Sequence, residues 1–303
     1  MGKKIIALVG ASGHLGGLIA DALLENPDVT LRLLVRPDSR TKVAALEARG
    51  VEIVEGAIGQ NDEAALSKLV NGAFCIISSI QGGPEEVIGG QAELLKAARN
   101  ARVRRFIPST FSLDLFKVKP GQIITSDWRR QFADLADAER GDVEVVHILN
   151  GGFLDQGVLF GFINVINPAE GKAYVWGDGK QPQHWTTYKD TALYTAAAAV
   201  DDRTLPRALA VAGDALDFHE LVASYEEASG KKLRVVTQGT LADLDARISE
   251  LASGGQQNFM QFLPLMYYRS MLNGEGRLDP LYNDLFPEIR PTSVRQYVAQ
   301  AGL

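Results

Sequence analysis

The run Lys4-Ile-Ile-Ala-Leu-Val9, followed at once by Gly10-Ala-Ser-Gly13-His-Leu-Gly16, decides how this chain is read. An unbroken apolar run without alternation fits a strand buried on both faces of a parallel sheet. Leu15, Leu18, Ile19, Ala22 and Leu23 then recur at helical spacing until Asn26-Pro27 stops them. The three glycines, spaced G-x-x-G-x-x-G, fall at the turn between strand and helix. A glycine there allows a tight turn, close approach of a pyrophosphate and close helix–sheet packing. The exposed N–H groups and the positive end of the helix dipole favour phosphate. Gly10, Ser12, Gly13, His14, Leu15 and Gly16 are therefore candidate dinucleotide-binding residues.

The rhythm continues outward from this unit. Residues 30–35, 51–54, 73–78, 105–108 and 143–149 read as further strands. Between them, residues 62–70 read as a helix capped by Asn61, and residues 84–99 as a helix with proline at its start. Residues 127–139 read as a helix capped by Thr125 or Ser126. Strand–helix alternation at this spacing means right-handed crossovers and an α/β fold, a doubly wound parallel sheet of the Rossmann kind, over residues 1–150. Residues 151–303 lose the rhythm and read as a smaller, mostly helical substrate-binding part, with segments free to return to the sheet. A glycine-rich stretch, 171–183, reads as a hairpin or irregular cover. Phe259, Phe262, Met266, Tyr267 and Tyr268 fit either a helical core face or an aromatic pocket.

Composition narrows the function. Of 303 residues, 46% are hydrophobic and 22% charged, as in ordinary globular proteins, which excludes disorder and coiled coil for the whole chain. The single cysteine, Cys75, excludes an intrachain disulfide and a cysteine-built metal site, and it suits a reducing cytosol. A formal net charge of −6 argues against nucleic acid or an acidic membrane as partner. The apolar stretch 73–80 is far short of the ~20 residues needed to span a bilayer. The expectation is a soluble, cytoplasmic protein with a small-molecule partner. No His/Asp/Glu cluster has metal-ligand spacing, so no metal is expected.

The end of the second strand selects the cofactor. Sites for NAD usually carry an acidic residue about 20 residues beyond the loop, bonding the adenosine ribose. Here Val35-Arg36-Pro37 stands there, with Arg40 and Lys42 close behind. A guanidinium can pair bidentately with a 2′-phosphate and stack on adenine, so the expectation is NADP(H). The proton donor is harder to find. None of the eight tyrosines has lysine at i+4, so the Tyr–Lys pair of the short-chain dehydrogenases is absent. Ser109, at the end of the fifth strand, is one candidate. His147 reads as a core histidine, His219 as a surface one, and His184 as either a core residue or one facing a cleft.

These segments together resemble a known family. Gly10-Ala-Ser-Gly-His-Leu-Gly16, Leu34-Val-Arg36, Arg105-Phe-Ile-Pro-Ser109 and Trp176-Gly-Asp-Gly179 occur in one order, followed by Asp190, Leu285-Phe-Pro-Glu-Ile289 and Val294-Arg-Gln-Tyr297. The chain is similar, nearly end to end, to the isoflavone, phenylcoumaran benzylic ether and pinoresinol reductases among the NmrA-like atypical short-chain dehydrogenases. The resemblance implies an NADPH-dependent reductase of small, often phenolic molecules, with its substrate between the sheet and the C-terminal part. It implies cofactor roles for Gly10, Gly13, Gly16, Arg36 and Lys42. It also implies that Ser79 and Gln81, and Asn150 and Phe153, lie beside the nicotinamide. Phe111, Phe153 and Tyr267 are candidate substrate contacts.

One departure stands out. The reductases carry a general acid–base lysine shortly before a paired-arginine helical segment. Aligning on Arg129-Arg130 puts Thr125 at that position. An aliphatic hydroxyl cannot replace a tuned ammonium as proton donor near neutral pH. Thr125, Ser109 and Lys117 remain as candidates, and Lys119 lies near Lys117. The primary reading is a reductase. Two alternatives stay open: a non-enzymatic NADP(H) sensor of the NmrA type, and another short-chain dehydrogenase chemistry such as epimerisation.

Overall fold

The computed structural model describes residues 2–303. The chain forms two compact units. The first holds Met1–Phe111, Trp128–Ile148 and Thr191–Leu209; the second holds Ser112–Asp127, Leu149–Asp190 and Ala210–Leu303. Units and chain order therefore do not divide at residue 150. Residues 112–127 belong with the C-terminal half, and residues 191–209 return to the first unit.

The first unit is built on six strands: β1 (Lys4–Val9), β2 (Val29–Val35), β3 (Glu52–Glu55), β4 (Ala73–Ser78), β5 (Arg105–Ile107) and β6 (Glu144–Val145). They pair in the order β3-β2-β1-β4-β5-β6, every pair parallel. This is the doubly wound sheet that the alternation implies. Ile6, Ala7 and Leu8 are fully buried, which explains why β1 shows no polar alternation. The strand order reverses between β1 and β4, and ligands of such sheets bind at the carboxyl ends beside that point. Helix α1 (His14–Leu24) follows β1 directly and buries Gly16, Ile19, Ala20 and Leu23.

Two arginines, one half-buried and one fully buried, close helix ends in this unit. Arg32 donates through Nη1 to the carbonyls of Lys68, Leu69 and Asn71, at 3.0, 3.0 and 2.9 Å. These lie at or just past the last turn of the helix Glu63–Val70, where carbonyls lack intrahelical partners. Arg105, fully buried at the start of β5, donates to the carbonyls of Ala198, Asp201 and Arg203 and pairs with Glu144 at 2.6 Å.

Boundaries differ from expectation where side chains compete for the backbone. Asp62, not Asn61, caps the helix Glu63–Val70, its Oδ1 accepting the Ala65 N–H at 3.1 Å. The expected sixth strand, 143–149, is cut after Val145, because His147 N–H bonds the Arg207 carbonyl at 2.7 Å. Ahead of the helix Gln91–Asn100 the chain makes a wide π-type turn, Glu85–Gly90. The helix Ile124–Glu139 begins before Thr125 and Ser126, so neither is its cap.

The second unit carries its own core, including Trp185, Phe218, Leu221, Tyr225, Phe262 and Met266. The glycine-rich stretch does not fold back on itself. Lys172–Trp176 pairs antiparallel with Ile166–Asn167 and parallel with Arg234–Gly239. Gln183–Thr186 lies between Gly152–Phe153, parallel, and Asp214–Leu216, antiparallel. The helices Phe218–Ser229, Leu241–Ser253 and Val294–Ala301 each start with a reciprocal capping box. In the helix Phe259–Leu272, Phe262, Met266 and Tyr268 are buried core residues, while Tyr267 is half-exposed.

Candidate functional site

The glycine loop separates two reasons for being glycine. Gly10 has φ +93°, and a Cβ there would lie 2.6 Å from the Ser79 carbonyl oxygen. A Cβ on Gly16 would overlap the Gly10 carbonyl. Both are demanded by the protein's own packing. Gly13 is different: its φ is −91°, and a Cβ would meet nothing closer than the Gly10 carbonyl at 3.4 Å. The protein leaves room for a side chain at Gly13, so any need for glycine there comes from outside the chain. Ser12, Gly13 and His14 are exposed, no side chain caps the start of α1, and its first turn holds no acidic residue. This is a polar, donor-rich helix start open to an anion.

At the end of β2 the basic residues sort themselves. Arg40 is held by Glu47 at 2.6 Å and Glu55 at 2.5 Å, and these carboxylates raise its already high pKa. Its charge is spent locally. Arg36 is exposed and only loosely placed against Asp38, at 3.6 Å, and Lys42 is exposed. At the end of β4, Ser79 is bonded back onto β1, its N–H and Oγ both donating to the Val9 carbonyl at 2.9 and 3.1 Å. Gln81 is exposed.

The end of β5 is tightly bound. The Ser109 hydroxyl donates to the Ile80 carbonyl at 2.6 Å, its N–H to Gln91 Oε1 at 2.8 Å, and its carbonyl accepts from Arg129 Nε at 3.1 Å. Thr110 Oγ1 lies 2.8 Å from Nδ1 of His147, whose pKa burial pushes down to about 3, so this imidazole is a neutral core residue. Phe111 is buried and held at φ +26°, a strained conformation for a bulky residue.

In the second unit, Thr125 Oγ1 and the Tyr267 hydroxyl are 2.8 Å apart, and Phe162 meets the Tyr267 ring edge-on at 6.2 Å between centroids. Lys117 is tethered, its ammonium donating to the Asp279 carbonyl at 2.7 Å and lying 3.5 Å from Asp114. Lys119 is paired with Glu275 at 2.7 Å. Phe153 stacks on Tyr188, with centroids 3.8 Å apart and planes 8° from parallel. Asn150 is fully buried, and neither amide atom has a hydrogen-bond partner. His184 is buried too, and desolvation, reinforced by Arg277, lowers its pKa to about 4.

The structure thus sets Ser79 against the glycine loop, places Arg36, Lys42 and Gln81 in the same unit, and joins Thr125 to Tyr267 in the second. Sequence reasoning missed the Thr125–Tyr267 pair, the Phe153–Tyr188 stack and the network around Gln91. None has a local signal, since the contacts that define them, Thr125 to Tyr267, Phe153 to Tyr188 and Gln91 to Ser109, join separate elements of the chain. Among the described residues, no group of three or more His, Cys, Asp or Glu could hold a metal, and no helix is long and apolar enough to cross a membrane.

The NmrA-like family model matches residues 2–130. An isoflavone reductase homolog from Zea mays is 30% identical over 98% of this chain and 97% of its own. The chain belongs to the NmrA-like family, in its isoflavone-reductase-like group. Solved structures share the whole fold of this NmrA-like protein. That of AtPrR2 with NADP+ and (+)pinoresinol is 21% identical, with a TM-score of 0.82 covering 100% of this chain and 99% of that one. The leucoanthocyanidin reductase–NADPH complex from Vitis vinifera is also 21% identical, with a TM-score of 0.79 over 98% of each chain. These relatives are reductases or a reductase homolog, which lends the regulatory reading of an NmrA-like chain no support.

Proposed function

We propose that this protein is an NADPH-dependent oxidoreductase that reduces a small aromatic or phenolic molecule by hydride transfer. The observation that carries the reading is Gly13, a glycine that the protein's packing does not require, at an open helix start after the first strand of a Rossmann sheet. The two solved neighbours named above carry molecules of this class in their names, pinoresinol and leucoanthocyanidin, and their structures contain NADP+ or NADPH.

The residues present fit that cofactor. The loop Gly10, Ser12, Gly13, His14, Leu15 and Gly16 offers backbone N–H groups and the α1 dipole to the pyrophosphate. Arg36 and Lys42, the exposed cations at the end of β2, are left to hold the 2′-phosphate once Arg40 is neutralised by Glu47 and Glu55. Ser79, Gln81, Asn150 and Phe153 are assigned to the nicotinamide half, where the unspent amide of Asn150 suits a polar group. Bound NADPH would supply the hydride. The chain's own task is to orient both reactants and move a proton.

For that proton, Ser109 and Lys117 are poorly placed, because the hydroxyl proton of one and the ammonium of the other already point at backbone carbonyls. The half-buried Thr125–Tyr267 pair couples an alcohol to a phenol, a much stronger acid, and we assign it the donor role. Phe111, Phe153 and Tyr267 are the aromatic groups assigned to the substrate. Its buried lone cysteine and the lack of any long apolar helix among the described residues fit a cytoplasmic enzyme.

Titration of the purified protein with NADPH and NADH, followed by fluorescence, tests the reading directly. NADPH-selective binding, then oxidation of NADPH with a panel of lignans and other phenolic acceptors, is the expected result. Failure to bind either nucleotide would leave only the fold.

A further inference from the structure

Gln91 is 1% exposed, and both ends of its amide are used. Its Nε2 donates to the Val87 carbonyl at 2.7 Å, four residues back, where the π-type turn Glu85–Gly90 interrupts regular helical bonding. Its Oε1 accepts the Ser109 N–H at 2.8 Å, just past the end of β5. Ser109 passes the connection on: its hydroxyl donates to the Ile80 carbonyl at 2.6 Å, beyond the end of β4. The neighbouring Ser79 is itself bonded to Val9 and packed against Gly10. A continuous chain of contacts therefore runs from Gln91 through Ser109, Ile80 and Ser79 to the glycine loop, all within the first unit.

The sheet ladder cannot do this work. β4 and β5 pair from Cys75 and Arg105 only as far as Ile77 and Ile107, and Pro108 has no N–H to extend the ladder. Beyond that point the spacing of the two strand ends is set by side chains alone. A wide π-type turn gives up regular helical bonding, and such turns are found frequently at functional sites. Here the turn directs the Gln91 amide at the Ser109 backbone.

We infer that Gln91 is a positioning residue for the cofactor, fixing through Ser109 the ends of β4 and β5 that receive its nicotinamide half. The inference rests on the NADPH reading above. Arg36 and β2 lie on one side of β1, while β4 and β5 lie on the other. The adenosine half should therefore be indifferent to Gln91.

The test is a pair of affinities measured on the cofactor-free protein by calorimetry, for NADPH and for adenosine 2′,5′-bisphosphate, which lacks the nicotinamide half. Gln91→Leu removes both hydrogen bonds at similar volume. It should weaken NADPH about tenfold while leaving the bisphosphate within about twofold. It should also speed amide hydrogen exchange at Ser109 without nucleotide. Ser109→Ala keeps the N–H and loses only the link to Ile80, so it should shift the affinities the same way, by less, and it decides the matter if Gln91→Leu does not fold. Equal weakening of both ligands, or no change in NADPH affinity, would overturn the inference. If the unaltered protein binds the bisphosphate but not NADPH, the cofactor reading fails as well, and Ser109 exchange in Gln91→Leu still reports whether the Gln91–Ser109 bond holds these strand ends.

Discussion

The Thr125 hydroxyl and the Tyr267 phenol meet at 2.8 Å, joining the helix Ile124–Glu139 to the helix Phe259–Leu272 across 142 positions of sequence. An isolated threonine is a poor acid, but one that shares a hydrogen bond with a phenol can relay its proton. Tyr267→Phe removes that proton and keeps the ring that Phe162 packs against. With an accepted substrate it should lower kcat about a hundredfold and leave the KM for NADPH nearly unchanged. Thr125→Val should act in the same direction. Full activity in Tyr267→Phe would remove this pair from the mechanism.

The glycine loop makes a second prediction, in which two neighbouring glycines behave oppositely. Gly13→Val places its side chain where the protein has space and a pyrophosphate would lie. Its thermal midpoint should stay close to that of the unaltered protein while NADPH binding is lost. Gly16→Val drives a side chain into the Gly10 carbonyl and should lower the midpoint itself. Paired melting curves and NADPH titrations distinguish the two. A folded Gly13→Val protein with normal affinity would place the phosphate elsewhere.

Arginines only four positions apart should also differ in effect. Arg36→Ala should weaken NADPH tenfold or more, about the value of one charge-assisted contact, and change NADH less than about twofold. Arg40→Ala should leave the ratio of the two affinities unchanged, because Glu47 and Glu55 already occupy that guanidinium. Competition binding with both nucleotides reads the ratio, and a loss of selectivity in Arg40→Ala would show that Arg40 turns outward to the ligand.

At Arg105 the expected effect is on stability alone. Its guanidinium serves three helix-end and loop carbonyls and Glu144 from a fully buried position. Arg105→Met keeps much of the volume but leaves the Glu144 carboxylate with only the Leu205 N–H and takes the donor from those carbonyls, which typically costs about 3–5 kcal/mol. Urea unfolding should show the unfolding free energy falling by that measure. A change below about 1 kcal/mol would mean that water takes over the guanidinium's bonds.

Much of this was legible in the sequence, and the remainder was not for identifiable reasons. β1, the glycine loop and Arg36 are contiguous, so periodicity and spacing expose them. Arg40 looked equivalent to Arg36, because nothing local reveals that Glu47 and Glu55 converge on it. Thr125 read as a helix cap or as the stand-in for a lysine, and only its partner 142 residues away gives it another role. Gln91 read as one more helix residue, since a π-type turn has no compositional mark. The parallel, doubly wound class of the sheet follows from local alternation, whereas site chemistry depends on side chains that meet only after folding.

His184 supplies a pH dependence whose sign can be worked out. Burial, then Arg277, lower its pKa from 6.5 to about 4, with Lys117 adding to the shift and Asp279 opposing it. The native state therefore resists a proton that the unfolded chain accepts readily. Between pH 6.5 and about 4 the unfolded state binds more protons, so stability is fully present above that window and lost as pH falls through it. His147, held near 3 by burial, acts in the same direction and extends the loss to lower pH. Substituting His184→Gln removes one of these two contributions. The difference in urea midpoint between pH 7 and pH 5, a range above most carboxylate titration, should then be smaller than in the unaltered protein. An unchanged difference would mean that His184 takes up its proton as easily folded as unfolded, with Lys117 and Arg277 too well screened to oppose it.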